Sequence, residues 1–133
     1  MSRKLVIYAD GGSRGNPGQA AYGALVCQGD EVLVEISERI GIATNNVAEY
    51  QGLIAGIKAA HRIDPQAHIE ARLDSKLIVE QMSGRWKIKS VPIARLAMQA
   101  KTIHPAQLIT FTWIPREENY RADSLVNLAL DTL

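Results

Sequence analysis

Residues 4–18, KLVIYADGGSRGNPG, determine how the rest of the chain is interpreted. The apolar residues 5–9 are short and β-branched enough to predict a buried strand, which we expect to stop at Asp10 and the turn residues behind it. A carboxylate is therefore expected where a core strand meets solvent. Taken alone, Asp10 is explained as part of an Asp-Gly turn, so its role depends on the other acids of the chain.

Residues 1–133 are expected to form a single domain, because this length buries enough surface to fold without a metal or a disulfide. Hydrophobic residues make up 47% and charged residues 22% of the chain, and no apolar run approaches the roughly 20 residues of a membrane span. The N-terminus lacks the apolar core of a signal peptide. Cys27 is the only cysteine, so it cannot form an internal disulfide, which favours the reducing cytoplasm. We expect Cys27 to be a core residue, and we expect no membrane partner.

The segment 81–116 contains no Asp or Glu, although the net charge of the chain is only +1. Two interpretations are open: a solvated basic face, or a phosphate-binding surface whose affinity falls as salt rises. Residues 85–90 (RWKIKS) interleave bases with an aromatic, which favours a nucleic-acid backbone site, although Trp86 is also explained by packing. The bases of the segment are Arg85, Lys87, Lys89, Arg95, Lys101 and Arg116.

The hydrophobic pattern predicts strands over residues 5–9, 21–28, 32–40, 68–73 and 108–114, and helices over 44–62, 76–83, 92–103 and from Asn119 onward. The first three strands form an antiparallel meander, whereas helical crossovers require the fourth and fifth to lie parallel to the first. The expected fold class is α/β, a mixed five-stranded sheet flanked by helices. The glycine-rich turn lacks the spacing of a nucleotide-binding loop and precedes a strand, so a nucleotide fold is excluded.

Four acids are candidates for one site. Asp10 and Asp74 end the first and fourth strands, which are expected to be parallel neighbours, and Glu49 and Asp123 lie near helix starts. Glu49 is also explained as an acid in the first turn of its helix, where it suits the helix dipole. Carboxylates about 4 Å apart repel by roughly 4 kcal/mol at an effective dielectric near 20, so such a cluster requires a cation.

The ligand types predict the kind of cation. Carboxylates without a histidine or cysteine cluster suit Mg²⁺ or Mn²⁺ and argue against zinc. A pair of such ions about 3.5 to 4 Å apart activates a water and stabilises the leaving oxygen of a phosphodiester. The histidines of the chain, His61, His68 and His104, are expected to be structural.

Four segments of the chain resemble the four signature segments of type 1 ribonuclease H. They are YADGGSRGNPG at residues 8–18, TNNVAEY at 44–50, LDS at 73–75 and NYRAD at 119–123, in the order and spacing of that family. The resemblance runs essentially end to end. It implies the ribonuclease H-like fold and an endonuclease that cleaves the RNA strand of an RNA/DNA hybrid with two metal ions, leaving a 3′-hydroxyl and a 5′-phosphate.

By their positions in these segments, Asp10, Glu49, Asp74 and Asp123 correspond to the metal-binding catalytic acids of the family. The resemblance implies that Asp10 bridges two Mg²⁺ ions, with Mn²⁺ as a substitute. It places Glu49 and Asp74 on the ion at the leaving-group side and Asp123 on the ion that holds the attacking water. The two glycines after Asp10 are expected to leave room for an RNA backbone to approach the metals.

The same resemblance implies the substrate contacts. Asn16, Asn45, Asn46 and the backbone around Gly11 would read 2′-hydroxyl groups, the feature that separates RNA from DNA. Thr44 would hold a phosphate of the DNA strand. Turn and capping roles are the alternative explanations for these polar residues.

Two departures from the family pattern are visible. Many members carry a flexible loop with a histidine before the last acid. This chain has a shorter loop without a histidine, and Arg116 is the best local substitute for that residue. The long basic protrusion of some members is absent. Substrate grip is therefore expected from Arg85, Trp86, Lys87 and Lys89, with salt-sensitive affinity.

The residues are also compatible with two other functions. A catalytically silent hybrid-binding module would share the basic face, and a nuclease on double-stranded RNA or on junctions would share the acids. The presence of all four acids favours the nuclease over the silent module. We expect a monomer whose partner is an RNA/DNA hybrid, with double-stranded RNA as the second duplex to test.

Overall fold

The computed structural model describes residues 3–132, and within them the chain forms five strands and four helices. Short 3-10 turns precede β5 and α4. The element order is the one that the hydrophobic pattern predicted. The bounds are β1 Lys4–Gly15, β2 Gly18–Gln28, β3 Glu31–Ala43, α1 Asn45–Ile63, β4 His68–Leu73, α2 Lys76–Met82, α3 Val91–Lys101, β5 Ile109–Trp113 and α4 Tyr120–Asp131.

The strands form one mixed sheet in the order β3-β2-β1-β4-β5. The β1/β2 and β2/β3 pairs are antiparallel, and the β1/β4 and β4/β5 pairs are parallel. This confirms the predicted fold class. Alternate residues of β1, among them Leu5, Ile7 and Ala9, are buried in the main core with α1, while α4 packs on the opposite face of the sheet.

The end of β1 was predicted wrongly. The strand does not stop at Asp10 but continues to Gly15, because Gly11 to Gly15 keep pairing with β2 as far as Gly18. What ends near Asp10 is the parallel partner β4, whose last residue Leu73 lies opposite Ala9. Asp10 therefore pairs with β2 on one side, and on the other side it lies just beyond the end of the pairing with β4.

The position of Glu49 in its helix was also predicted wrongly. The Thr44 hydroxyl caps α1 by accepting from the Val47 amide, and no acid lies in the first turn. Glu49 falls in the following turn, so interaction with the helix dipole does not explain it. Ser75 caps α2 in the same way by accepting from the Ile78 amide, which leaves the Asp74 carboxylate available for other partners.

The residues expected to be structural behave in two ways. Cys27 is buried, and burial raises the pKa of its thiol, as a core role predicts. His104 is buried and contacts both the Ala67 carbonyl oxygen, at 2.8 Å, and the ring of His61, at 2.9 Å. His68 is exposed at the start of β4.

None of the described helices is long and apolar enough to cross a membrane. The cytoplasmic location remains a prediction. The connection between α2 and α3, residues 83–90, is short and irregular, as expected for a chain without the basic protrusion.

Candidate active site

Three of the four predicted acids meet at one edge of the sheet. Asp10 in β1, Glu49 in α1 and Asp74 after β4 each offer a carboxylate oxygen, and these oxygens all lie within 4.8 Å of one another. The parallel β1/β4 pairing places Asp10 and Asp74 beside each other, and α1 carries Glu49 across the strand end. Residues from separate parts of the chain thus form one carboxylate cluster.

Asp123 lies at the rim of the same site. It stands in the first turn of α4 with an exposed side chain, and it lines a cavity of about 330 Å³ together with the other three acids. The Asn127 amide donates to its carboxylate over 3.4 Å. Asp123 is therefore close enough to act on the cluster electrostatically, although it is not part of the tightly packed group of three.

Burial and mutual repulsion strongly perturb this cluster. Burial, and then the charge of Asp74, raise the pKa of Asp10 from 3.8 to about 8, against the stabilising bond that its carboxylate accepts from the Gly11 amide at 2.9 Å. Burial and the Asp74 charge likewise raise the pKa of Glu49 to about 7. The pKa of Asp74 is raised as well, chiefly by burial. Such a site favours either protons or a cation.

The donor set fits a hard divalent cation. Every candidate ligand is a carboxylate oxygen, and the Asp74 Oδ2 atom is buried with no hydrogen-bond partner among the described residues. A buried acceptor without a donor is unfavourable, and a metal ion would satisfy it. Asp10, Glu49 and Asp74 are accordingly the residues that would hold Mg²⁺ or Mn²⁺.

Arg116, the predicted substitute for the missing loop histidine, lines the same cavity. Its positive charge lowers the pKa values of Glu49 and Asp74, against the larger effect of burial. Among the described residues that line this cavity, two are cationic, Arg14 and Arg116. The charge of Arg14 is paired with Asp131. Whether Arg116 assists turnover remains a prediction.

The sequence reasoning missed two residues that support the site. Asn119 is 1% exposed, and its side-chain amide donates to the Ala9 carbonyl oxygen at 2.9 Å, which ties the start of α4 to β1 beside Asp10. The Trp113 indole N–H donates to the Asp74 carbonyl oxygen at 3.2 Å. Asn119 belongs to a segment that the sequence singled out, but its burial follows only from how α4 docks.

The structure assigns different roles to the two glycines after Asp10. A Cβ at Gly11 would lie 2.2 Å from the backbone carbon of Ala48 in α1, whereas a Cβ at Gly12 would meet nothing closer than 3.9 Å. Room for an RNA backbone is therefore the wrong explanation for Gly11, whose missing side chain lets α1 approach β1. The explanation remains open for Gly12.

A second cavity, of about 650 Å³, adjoins the carboxylates. It shares Asn45 and Glu49 with the acidic cavity and is also lined by the predicted contacts Asn16, Thr44 and Asn46. The Asn16 side-chain oxygen accepts from the Asn45 amide at 3.0 Å, and the Asn45 side-chain oxygen accepts from the Ser13 amide at 2.8 Å. The side-chain oxygens thus have structural roles, while the side-chain amide nitrogens of Asn16 and Asn45 make no hydrogen bond within residues 3–132.

The predicted basic residues form an exposed loop between α2 and α3. Lys87 and Lys89 are exposed and make no ion pair with the described residues, and Trp86 is 46% exposed, so packing alone does not explain it. Arg85 differs, because its guanidinium binds Glu80 through two bonds of 2.6 and 2.9 Å. The loop ends at Ser90, which lines the second cavity, so the basic and polar surfaces are contiguous.

Comparison with known proteins gives consistent matches. A profile of the family described as "Reverse transcriptase-like" matches residues 8–129. The bifunctional protein Rv2228c of Mycobacterium tuberculosis is 50% identical over 131 residues, covering 96% of this chain and 36% of that protein. A ribonuclease H of Caulobacter sp. is 31% identical over 148 residues, covering 98% of this chain and 92% of that protein.

Two solved structures are similar over nearly their whole length. The N-terminal RNase H domain of Rv2228c, solved as a fusion with maltose-binding protein, has a TM-score of 0.89 at 50% identity and covers 96% of this chain and 99% of that chain. LC11-RNase H1 in complex with an RNA/DNA hybrid has a TM-score of 0.87 at 39% identity, and 96% of each chain is covered.

The sheet order and the carboxylate cluster at its edge, together with these matches, define a ribonuclease H-like protein. The chain spans about a third, 36%, of the mycobacterial relative, but 92% of the Caulobacter one. The chain belongs to the ribonuclease H family, which confirms the resemblance of its four signature segments. That residues 1–133 form one catalytic domain remains a prediction.

Proposed function

We propose that the protein is a metal-dependent endonuclease that hydrolyses the RNA strand of RNA/DNA hybrids. The observation that carries the proposal is the convergence of Asp10, Glu49 and Asp74 within 4.8 Å, with raised pKa values at each. A silent binding module has no use for such a cluster, because mutual repulsion and desolvation destabilise it. A catalytic cation gives the cluster a function.

The four acids would together hold two ions. Asp10 would bridge them, Glu49 and Asp74 would hold the ion on the leaving-group side, and the exposed Asp123 would hold the ion beside the attacking water. When bound, Mg²⁺ or Mn²⁺ activates water and neutralises charge on the phosphate. In the hydrolysis, the water gives up a proton as its oxygen bonds to phosphorus, and the bond from phosphorus to the 3′-oxygen breaks. The 3′-oxygen takes up a proton, and the phosphate stays on the 5′ side.

Recognition of RNA would fall to the second cavity. The side-chain amide nitrogens of Asn16, Asn45 and Asn46 are donors suited to a 2′-hydroxyl, which DNA lacks. The bonds that the Asn16 and Asn45 side-chain oxygens accept orient these two side chains, which reduces the entropy lost on binding. Thr44 at the start of α1 would hold a phosphate of the DNA strand, because a helix N-terminus favours negative charge. The similar LC11-RNase H1 was solved with an RNA/DNA hybrid.

A panel of end-labelled duplexes tests the proposal. We expect cleavage of the RNA strand of a hybrid with Mg²⁺ and with Mn²⁺, no cleavage after chelation, and products with 3′-hydroxyl and 5′-phosphate ends. DNA duplexes should remain intact. The panel also includes double-stranded RNA of the same sequence. If it is cleaved faster than the hybrid, double-stranded RNA and not the hybrid is the substrate.

The same assay separates the proposal from a silent module. Binding of the hybrid without chelator-sensitive cleavage would support a module and overturn the nuclease. A sample with Asp10→Asn is the control for contaminating nucleases, because every activity that belongs to the cluster should disappear with it. Sedimentation of the same samples would test the predicted monomer.

The basic loop should set the salt dependence of hybrid binding. Log affinity falls as log salt rises, and Lys87→Gln and Lys89→Gln should each make this slope less steep by about 0.7 to 0.9, because each lysine would neutralise one phosphate. Arg85→Gln is the internal comparison, and its slope should change less, because Glu80 already pairs with Arg85. Fluorescence anisotropy with a labelled hybrid measures the slopes. Equal slopes for all three variants and the wild type would place the hybrid elsewhere.

A further inference from the structure

A basic cavity lies on the same face of the sheet as the Asp10 side chain but is separate from the carboxylate site. Tyr8 and Arg72 are register partners in β1 and β4, two residues before Asp10 and Asp74, so their side chains share that face. Arg121 from α4 completes the group. The cavity has a volume of about 310 Å³ and shares no lining residue with the carboxylate cavity.

Stacking holds two guanidinium groups in this cavity. The Cζ atoms of Arg72 and Arg121 lie 5.4 and 5.0 Å from the centroid of the Tyr8 ring. Arg72 also donates to the Tyr8 hydroxyl at 2.6 Å, and Arg121 lies 6.0 Å from the ring centroid of Tyr120. Cation–π contacts of this kind fix the guanidinium groups without using all of their N–H donors.

The charges of the cavity are not balanced. Glu70 pairs with Arg72 at 3.1 Å and with Lys4 at 3.5 Å, so one carboxylate serves two cations. Within residues 3–132, Arg121 makes no ion pair. The acid that lines the cavity is Asp30, which is exposed in the turn after β2. Donors of Arg121 therefore remain available to an anion.

We propose that this cavity binds a phosphate group, as inorganic phosphate or as a phosphomonoester. Arginine forks match the geometry of phosphate oxygens, and the ammonium of Lys4, the first residue of β1, adds a third cation. A tetrahedral dianion accepts from several directions at once, which suits cations that come from three separate elements. The cavity is also large enough for a phosphate with part of a nucleoside. The site does not depend on the proposed nuclease activity.

Inorganic phosphate is the probe for the first test. Metal-free protein in an uncharged buffer would be titrated while amide and arginine side-chain signals are followed by NMR. We expect saturable shifts at Tyr8, Gly29, Arg72 and Arg121, with a dissociation constant on the order of 1 mM for so small a ligand. Shifts that do not saturate, or that lie elsewhere on the basic surface, would overturn the proposal.

Two arginine variants test the assignment to this cavity. Arg121→Gln should weaken phosphate binding about tenfold, because one charge-assisted hydrogen-bonding group is lost. Arg62→Gln removes an exposed arginine outside the cavity and should leave the affinity unchanged. Arg121→Lys keeps the charge but not the fork, and it should give an intermediate affinity. Equal binding by wild type and Arg121→Gln would contradict the assignment.

Adenosine 5′-monophosphate and adenosine distinguish the two sources of the phosphate group. Saturable shifts at Arg121 with the nucleotide but not with adenosine would assign the site to phosphomonoesters as well as to the free anion. Binding of inorganic phosphate alone would restrict it to the free anion. If neither phosphate compound shifts these signals, the cavity does not bind phosphate.

Discussion

Asp10→Asn is expected to abolish hybrid cleavage and, at the same time, to stabilise the metal-free protein. Asp10 would bridge both ions, and a metal ion supplies several kcal/mol of transition-state stabilisation, so we expect a loss of at least about 10³-fold in turnover. The measurement is the initial rate of hybrid cleavage at saturating Mg²⁺. Retention of the wild-type rate would remove Asp10 from the catalytic centre.

The expected gain in stability follows from the raised pKa of Asp10. The pKa is about 8 in the folded protein, against 3.8 for the free group, chiefly because of burial and then of the Asp74 charge. The Asp10 carboxyl therefore holds its proton more tightly in the folded protein than in the unfolded chain. The stability that this provides is complete below about pH 4 and is lost as the pH rises through about 8.

Asparagine cannot ionise, so the variant does not lose this stability as the pH rises. The gain in unfolding free energy of the metal-free protein should be on the order of 2 kcal/mol at neutral pH and should shrink as the pH falls toward 4. Thermal melts across this pH range measure it. Mg²⁺ should raise the melting temperature of the wild type more than that of the variant, because binding to the folded state alone is stabilising.

Asp123→Asn is the matched comparison for this experiment. Its carboxylate is exposed at the cavity rim, so its removal should lower cleavage with little change in the stability of the metal-free protein. If both variants gave the same stabilisation, general relief of negative charge would explain it. A gain confined to Asp10→Asn would attribute it to the buried cluster.

The sequence predicted the positions of the acids better than the reasons for them. Hydrophobic periodicity and helical crossovers were sufficient to place β1 next to β4, and hence Asp10 next to Asp74. Glu49 was placed in the right helix but with the wrong explanation, because a cap signal at Thr44 locates a helix start without saying which turn faces the sheet edge. That orientation is decided by packing.

The parts that could not be predicted depend on contacts between distant residues. The length of β1 beyond Asp10 follows from its pairing with β2, since glycine, serine and arginine are poor local indicators of a strand. The burial of Asn119 depends on how closely α4 approaches Ala9. Likewise, the basic character of 81–116 was visible, but the pairing of Arg85 with Glu80 was not.

Gly11→Ala is expected to destabilise the fold strongly, because its added Cβ would clash with the backbone of α1. The added Cβ would lie 2.2 Å from the Ala48 carbon and 2.4 Å from the Glu49 nitrogen, both of them backbone atoms that no side-chain rotation can move. Either α1 shifts away from β1 or β1 distorts. We expect a loss of about 3 kcal/mol or more in unfolding free energy, measured by urea denaturation.

The catalytic consequence of Gly11→Ala follows from which residue moves. The clash falls on the peptide that joins Ala48 to Glu49, so any relief shifts Glu49 relative to Asp10 and widens the carboxylate cluster. Metal binding should weaken even where the variant remains folded, so a higher Mg²⁺ concentration should be needed for half-maximal cleavage. Gly12→Ala is the matched control, because its Cβ would meet no atom closer than 3.9 Å and stability should be nearly unchanged. If Gly12→Ala instead lowered hybrid affinity while Gly11→Ala behaved as wild type, the space after Asp10 would serve the substrate and not the helix.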